Sequence, residues 1–306
     1  VKVLVTGAAG FLGRACVKTL AAAGHDVVTT DRRGSVTIAG DLADENFAAR
    51  LPDAEAVVHA AGVQYLSPDL PLVGRRPYFE RNNVVAATRL SGRYAGTGAH
   101  IVNVGTSMMY EQSGRALYDV TSPMRGQGDY TASKVAAHEV IRAMPNPTAC
   151  VVPCIIAGTG RAGLFRQLTA SMVRWRTVVY PGRGTHPVHL THVEDVAALI
   201  RAVVGARATG ILNAASPAPL SIADWVVEIA SELKLPSIRT IRLPLQPIEA
   251  VSAALGYRIL AREQLLMLRF PHVLAVETSL ALGWTPRYTN AQIVRETARG
   301  LAAVLD

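Results

Sequence analysis

The chain has 306 residues, half of them apolar and 18% charged, with a formal net charge of +8. That length supports one large domain, or a large domain with a smaller one attached, and the composition excludes a disordered or low-complexity chain. The arginines are scattered, with no basic run and no interleaved aromatics, so an anionic cofactor and substrate explain the charge and no nucleic-acid partner is expected.

The chain opens on a strand pattern at residues 3–6, with no basic leader and cleavage site before it. No apolar stretch approaches the roughly 20 residues that cross a bilayer. A cytoplasmic protein without a membrane partner is therefore expected. Further strands are predicted at 26–30, 35–38, 56–60, 100–104 and 149–152, with helical patterns between most of them. This alternation implies an α/β fold with a parallel sheet covered on both faces, doubly wound by right-handed crossovers. After Val152 the order changes, because Pro153, Gly158, Gly160 and Gly163 break the chain. A strand and helix over 188–204 and a short run at 210–213 are expected to return to the sheet. The remainder, including helices over 222–233 and 290–305, is expected to form a smaller C-terminal lobe over the strand ends. The division read from the sequence is thus a nucleotide-binding domain over 1–152, rejoined by 188–213, and a mainly substrate-binding lobe over 153–306. Cys16, Cys150 and Cys154 are too few for a disulfide framework and lack zinc-site spacing, so they read as reduced packing residues.

The strongest local motif is Thr6-Gly7-Ala8-Ala9-Gly10-Phe11-Leu12-Gly13, between the first strand and the first helix. Gly7 and Gly10 permit a tight turn and close backbone approach, and Gly13 lets helix and sheet pack. The N-terminus at Phe11 and Leu12 offers free N–H donors to a pyrophosphate. Asp31 follows Gly13 by eighteen positions and ends the second strand. A carboxylate there accepts both adenosine ribose hydroxyls and repels a 2′-phosphate, which favours NAD over NADP, although the neighbouring Arg32 and Arg33 are cations suited to that phosphate. Asp41-Leu42 is read as bordering the adenine.

Tyr130-Thr131-Ala132-Ser133-Lys134 begins a helical segment, so Tyr130 and Lys134 share one face. A free phenol ionises near ~10, and use as a base near neutrality requires a shift of about 3 units, or ~4 kcal/mol. One cation ~4 Å away supplies roughly that at an effective dielectric of about 20. The pair therefore reads as a proton-exchanging Tyr130 with Lys134 lowering its pKa and holding the nicotinamide ribose.

With the glycine turn and Asp31, these residues resemble the extended short-chain dehydrogenase/reductase family, the NAD-dependent epimerase/dehydratase group. The resemblance runs through His59-Ala60-Ala61-Gly62, Asn82-Asn83-Val84, the segment 105–110, Tyr130 to Lys134, His192-Val193-Glu194-Asp195-Val196-Ala197 and Leu282-Gly283-Trp284-Thr285-Pro286. It implies a Rossmann fold and places the hydroxyl that bonds the reacting oxygen on Thr106, with Ser107 as fallback. It also puts Ala60, Ala61 and Gly62 beside the cofactor's middle, Pro153 near the nicotinamide, and Asn83 in support of the adjacent helix. The helices over 79–94 and 129–144 resemble those that pair in family dimers, so a homodimer is expected by analogy.

Where dehydratases of the family carry an Asp-Glu pair, this chain has Ser107-Met108, which disfavours elimination. Ile155 and Val188 stand where sugar-nucleotide enzymes of the family carry Asn and Arg, with Arg161, Arg166 or Arg183 as replacements. His186, His189 and His192 recur every three residues, but no metal is expected, because an extended segment does not put all three on one face. Arg183, His186, Ser107 and Met108 are the candidate substrate contacts, with His189 an alternative to His186, and His138 reads as a surface residue. The expected activity is hydride transfer at a hydroxyl-bearing carbon of a sugar or sugar nucleotide, by an epimerase or dehydrogenase using NAD. The alternatives are a ketoreductase or alcohol dehydrogenase for a hydrophobic hydroxy compound, and a non-catalytic dinucleotide sensor.

Overall fold

The computed structural model describes residues 1–161, 163–258 and 260–304. In chain order the first part holds β1 (Lys2–Thr6), α1 (Phe11–Ala22), β2 (Asp26–Asp31), β3 (Ile38–Ala39), α2 (Glu45–Ala49), β4 (Ala56–His59), α3 (Arg75–Phe79), α4 (Ala86–Tyr94), β5 (His100–Val104), α5 (Asp129–Arg142) and β6 (Thr148–Pro153). A π-helical segment, Glu80–Val85, joins α3 to α4, and a 3-10 turn, Ser107–Met109, follows β5. The second part holds β7 (Ile155–Ala157), α6 (Leu164–Trp175), β8 (Thr177–Pro181), β9 (Leu190–His192), α7 (Val193–Ala206), β10 (Gly210–Ala214), α8 (Ile222–Glu232), β11 (Arg239–Leu243), α9 (Leu245–Ala254), α10 (Arg262–Arg269), α11 (Glu277–Leu280) and α12 (Asn290–Ala302).

Seven parallel strands form the main sheet in the order β10-β6-β5-β4-β1-β2-β3. The alternation of strand side chains divides its apolar residues between two faces. Val3, Val5, Val58 and Val102 pack with Leu12, Cys16 and Leu20 of α1 and with Val196, Ile200 and Val203 of α7. Leu4, Val57 and Ile101 point the other way, against Leu90 of α4 and Ile141 of α5. Each such burial is worth roughly 1.5–3 kcal/mol, so the two faces fix the strand register. All parallel strands end at one edge, and the reversal of order between β1 and β4 opens a crevice there. The glycine turn, His59, the segment after β5 and Pro153 all lie at that edge.

The remaining part has a core of its own around Phe165, Met172, Trp225, Ile229, Ile293 and Val294. Two small parallel pairs, β7 with β9 and β8 with β11, line it. Trp225 and Ile229 of α8 pack with Ile293 and Val294 of α12, and Arg295 and Arg299 of α12 bond Glu228 and Glu232 of α8 at 2.6 and 2.8 Å along the exposed edge of that contact.

Two expected strands differ. The strand read at 35–38 is reduced to Ile38–Ala39, because the Thr29 and Thr37 hydroxyls take the neighbouring N–H groups and replace the ladder before it. The strand expected within 188–204 to rejoin the main sheet pairs instead with β7, because the chain leaves the sheet at Pro153 and carries β7 into the C-terminal part. Gly210–Ala214 is the seventh strand, beside β6. Leu305, the last residue of the expected final helix, lies outside the described residues. The three cysteines are free and buried. Among the described residues no helix is long and apolar enough to cross a membrane.

Candidate active site

The turn after β1 is built for backbone contact. Gly7 has φ +66°, and a Cβ on it would lie 2.6 Å from the Ala61 nitrogen; one on Gly13 would lie 2.0 Å from the Gly7 carbonyl oxygen. Gly10 brings no side chain to cap α1, so the first-turn N–H groups at Phe11 and Leu12 face the crevice edge without a side-chain acceptor. The Asp31 carboxylate reaches back to accept from Ala9 N–H at 3.0 Å and from Arg33 N–H at 3.2 Å. Arg32 donates to Asn82 at 2.8 Å, and Arg32 and Arg33 lie 3.6 and 3.3 Å from Asp69. Asp41 pairs with Arg81 at 2.8 Å. The Leu42 side chain is buried among Leu4, Phe47 and Val57, which leaves only its backbone available to a nucleotide. Crowded glycines, uncapped N–H groups and a carboxylate at the end of β2 fit a dinucleotide.

Beside this groove Tyr130, in the first turn of α5, sets its phenol near the Thr106 hydroxyl, which favours the ionised form. Its ring packs against Phe79 at 5.6 Å and Tyr65 at 5.7 Å. One turn on, Lys134 Nζ donates to the Val104 carbonyl at 2.7 Å, and a Cβ on Gly62 would lie 3.8 Å from that nitrogen. Asn83 ties the neighbouring segments together, accepting from Val63 N–H at 2.9 Å and donating to Ser133 at 2.9 Å. Burial pushes the Tyr130 phenol up to about 12, opposed by the Thr106 hydroxyl and the charge of Arg161 and reinforced by Glu263. Burial pushes the Lys134 ammonium down to about 8, opposed by Cys150. The phenol is thus protonated at neutral pH. The cation acting on it in this structure is Arg161, while Lys134 is turned to the Val104 carbonyl.

The structure also adds residues to the site. Arg161 lies over the Phe11 ring at 5.5 Å, which puts a guanidinium across the glycine turn. Buried His59 bonds the Thr6 hydroxyl at 2.9 Å and is driven down to about 3 by burial and by Lys134. Ser107 meets His272 Nε2 at 2.5 Å, and His272 Nδ1 meets Gln112 Oε1 at 3.0 Å. Because the Gln112 amide nitrogen donates to the Tyr110 carbonyl, its oxygen is the acceptor, and His272 must carry its proton on Nδ1 and accept from Ser107 on Nε2. Glu263 of α10 accepts from the Tyr65 hydroxyl at 2.8 Å. His59 stood in a quoted motif without a role. His272 and Glu263 carry no local signal, because each meets its partners across more than 130 residues of chain.

His138, expected at the surface, is buried instead, because it follows Lys134 by four residues on the face of α5 turned inward. Arg183 is exposed and His186 half-buried, and neither side chain bonds another among the described residues, so nothing ties them to Tyr130. Met108 is half-buried beside Thr106, its N–H 3.4 Å from the Thr106 oxygen. His189 and His192 are engaged separately: His189 accepts from Leu274 N–H at 3.0 Å, and His192 caps α7 and stacks on Tyr288. No cluster of three metal-ligating side chains occurs among the described residues.

A model of the NAD dependent epimerase/dehydratase family matches residues 3–215. The 3 beta-hydroxysteroid dehydrogenase/Delta 5→4-isomerase of Mycobacterium tuberculosis is 27% identical over 215 residues, 64% of this chain, and the match spans 58% of that protein's length. Human epimerase family protein SDR39U1 is 25% identical over 298 residues, 92% of this chain and 94% of that one. The structure of MoeE5 in complex with UDP-glucuronic acid and NAD has the same fold, with a TM-score of 0.80 and 23% identity over 99% of this chain and 100% of that one.

Proposed function

The chain belongs to the NAD-dependent epimerase/dehydratase family, and from that premise we propose that it is an NAD-dependent oxidoreductase exchanging a hydride with a hydroxyl-bearing carbon. The observation that carries this reading is the gathering of Tyr130, Thr106 and Lys134 beside Gly62 at the edge of the dinucleotide groove. When bound, the dinucleotide supplies the ring that accepts or returns the hydride. Thr106 orients the substrate oxygen and Tyr130 exchanges its proton. Lys134, at about 8, retains enough positive charge at neutral pH to hold a ribose hydroxyl. A phenol protonated at neutral pH is ready as an acid, so reduction of a carbonyl is favoured near pH 7 and oxidation at higher pH. Asp31 takes the adenosine ribose, and the tethering of Arg32 and Arg33 to Asp69 supports NAD over NADP.

For the substrate, a hydrophobic hydroxy or oxo compound has the stronger support. Val188 and Ile155, at the positions expected for Arg and Asn in sugar-nucleotide enzymes, pack in the apolar core of the C-terminal part, and the mycobacterial relative is named for a steroid. A sugar or sugar nucleotide, as held by MoeE5, is the second reading, carried by the shared fold. Pairing of helices 79–94 and 129–144 into a homodimer completes the proposal.

The test is direct. Purified protein is denatured and the released dinucleotide measured, then hydride transfer is followed with steroid or long-chain oxo compounds and with UDP-sugars. Reduction of the first group, with cofactor exchanged each turnover, supports the dehydrogenase. Tightly retained dinucleotide with interconversion of UDP-sugars moves the assignment to epimerase, and absence of any dinucleotide binding refutes both.

A further inference from the structure

Helix α5 carries Tyr130 in its first turn, yet its N-cap residue, Gly128, has no side chain to accept from that turn. The acceptor comes from elsewhere. Glu263 Oε1 takes the Thr131 N–H at 3.3 Å and the Tyr65 hydroxyl at 2.8 Å. Gly128 is required by this arrangement, because a Cβ there would lie 1.6 Å from Glu263 Oε2. The catalytic helix is therefore capped by α10, from the far end of the chain.

Glu263 is 1% exposed, and its Oε2 has no hydrogen-bond partner among the described residues. Holding a buried carboxylate without a cation is unfavourable, although the helix N-terminus offsets part of it. Capping needs only an acceptor oxygen, which a glutamine of the same shape also offers. The charge itself acts on Tyr130. The groups around that phenol are Arg161 from the loop after β7, Lys134 one turn along α5, Tyr65 from the loop after β4, the exposed Asp129 before it, and Glu263. Arg161 favours the phenolate and Glu263 the phenol.

We infer that Glu263 is a positioning residue for Tyr130: it caps the catalytic helix from the C-terminal part and sets a negative charge against the phenol, keeping the proton in place until positive charge enters the groove. The inference rests on Tyr130 being the proton-exchanging group.

Glu263→Gln keeps the acceptor and the volume and removes the charge, whereas Glu263→Ala removes the cap as well. Difluorotyrosine incorporated at position 130 ionises where the protein is folded, and its fluorine NMR titration needs no substrate, so this test and the turnover test fail independently. In Glu263→Gln the phenol should ionise about one pH unit lower than in the parent, as expected for loss of one charge several ångströms away. Its thermal midpoint should stay within about 2 °C of the parent, while Glu263→Ala should fall by roughly 2–4 °C from loss of the cap. If Glu263→Gln does not fold, Glu263→Asp, which draws the charge back by one methylene, should shift the ionisation in the same direction by less. An unshifted phenol in the folded variant, or an equal shift from Asp129→Asn, overturns the inference.

Discussion

The seven-stranded sheet and the C-terminal part solve the same problem of burial in different ways. In the sheet, four of the six neighbouring pairs (β1–β2, β2–β3, β4–β5 and β5–β6) are strands consecutive in the chain, so most short apolar runs find their partner locally and the alternation of side chains sets both faces. In the C-terminal part, β8 pairs with a strand about 60 residues on, and α12 returns to α8 from the end of the chain. The sheet therefore presents a rigid edge of strand ends, while the other part supplies groups that arrive from a distance: Glu263 to α5 and His272 to Ser107.

The sharpest way to separate the two is to damage one. Trp225→Ala empties the centre of the C-terminal core and should destabilise by about 4 kcal/mol, measured by urea unfolding. Below its transition the variant should still bind dinucleotide within about twofold of the parent. An equal loss of binding would show that the parts are not separable in this way. Tyr130→Phe does the converse. Stability should change little, and turnover should fall by about 10²-fold, or about 2.7 kcal/mol in the barrier. An unchanged rate would remove Tyr130 from the mechanism.

Acid should act unevenly on the two parts. His59 is held to about 3, and His189 and His272 to about 4, chiefly by burial. Each is lowered from an unfolded value near 6.5, so the unfolded chain binds more protons as pH falls from about 6.5 towards 4, and stability is lost in that window. At pH 5 the loss is about 2 kcal/mol per histidine relative to pH 7. Two of the three, His189 and His272, belong to the C-terminal part, so hydrogen exchange at pH 5 should open that part before the sheet. Simultaneous opening would argue for one cooperative unit. The smallest expected effect is at the groove: Asp31→Ser should improve NADPH affinity roughly tenfold, about 1.4 kcal/mol, by removing a carboxylate from the 2′ position, as read by fluorescence titration. No change would place the 2′ oxygen elsewhere.

Much of the dinucleotide groove could be read from consecutive residues, because turn, helix start and acidic strand end lie within the first 31 positions. Tyr130 and Lys134 were likewise legible, since helical spacing alone puts them together. The cation beside the phenol was not: adjacency on α5 pointed to Lys134, but Lys134 bonds the Val104 carbonyl, and Arg161 comes in from another loop. His138 continues the same stripe four residues past Lys134, so its burial follows from the face that Tyr130 and Lys134 share and not from its own polarity.

The sequence by itself determined the parallel α/β class, the glycine turn with Asp31, and the Tyr130–Lys134 face, since each depends on periodicity or spacing over a few tens of residues. Only the tertiary structure decided which strand β9 joins, how His272 holds Ser107, and that Glu263 caps α5. Those contacts join segments far apart in the chain, where backbone propensity carries no information and shape and buried hydrogen bonding select the partner.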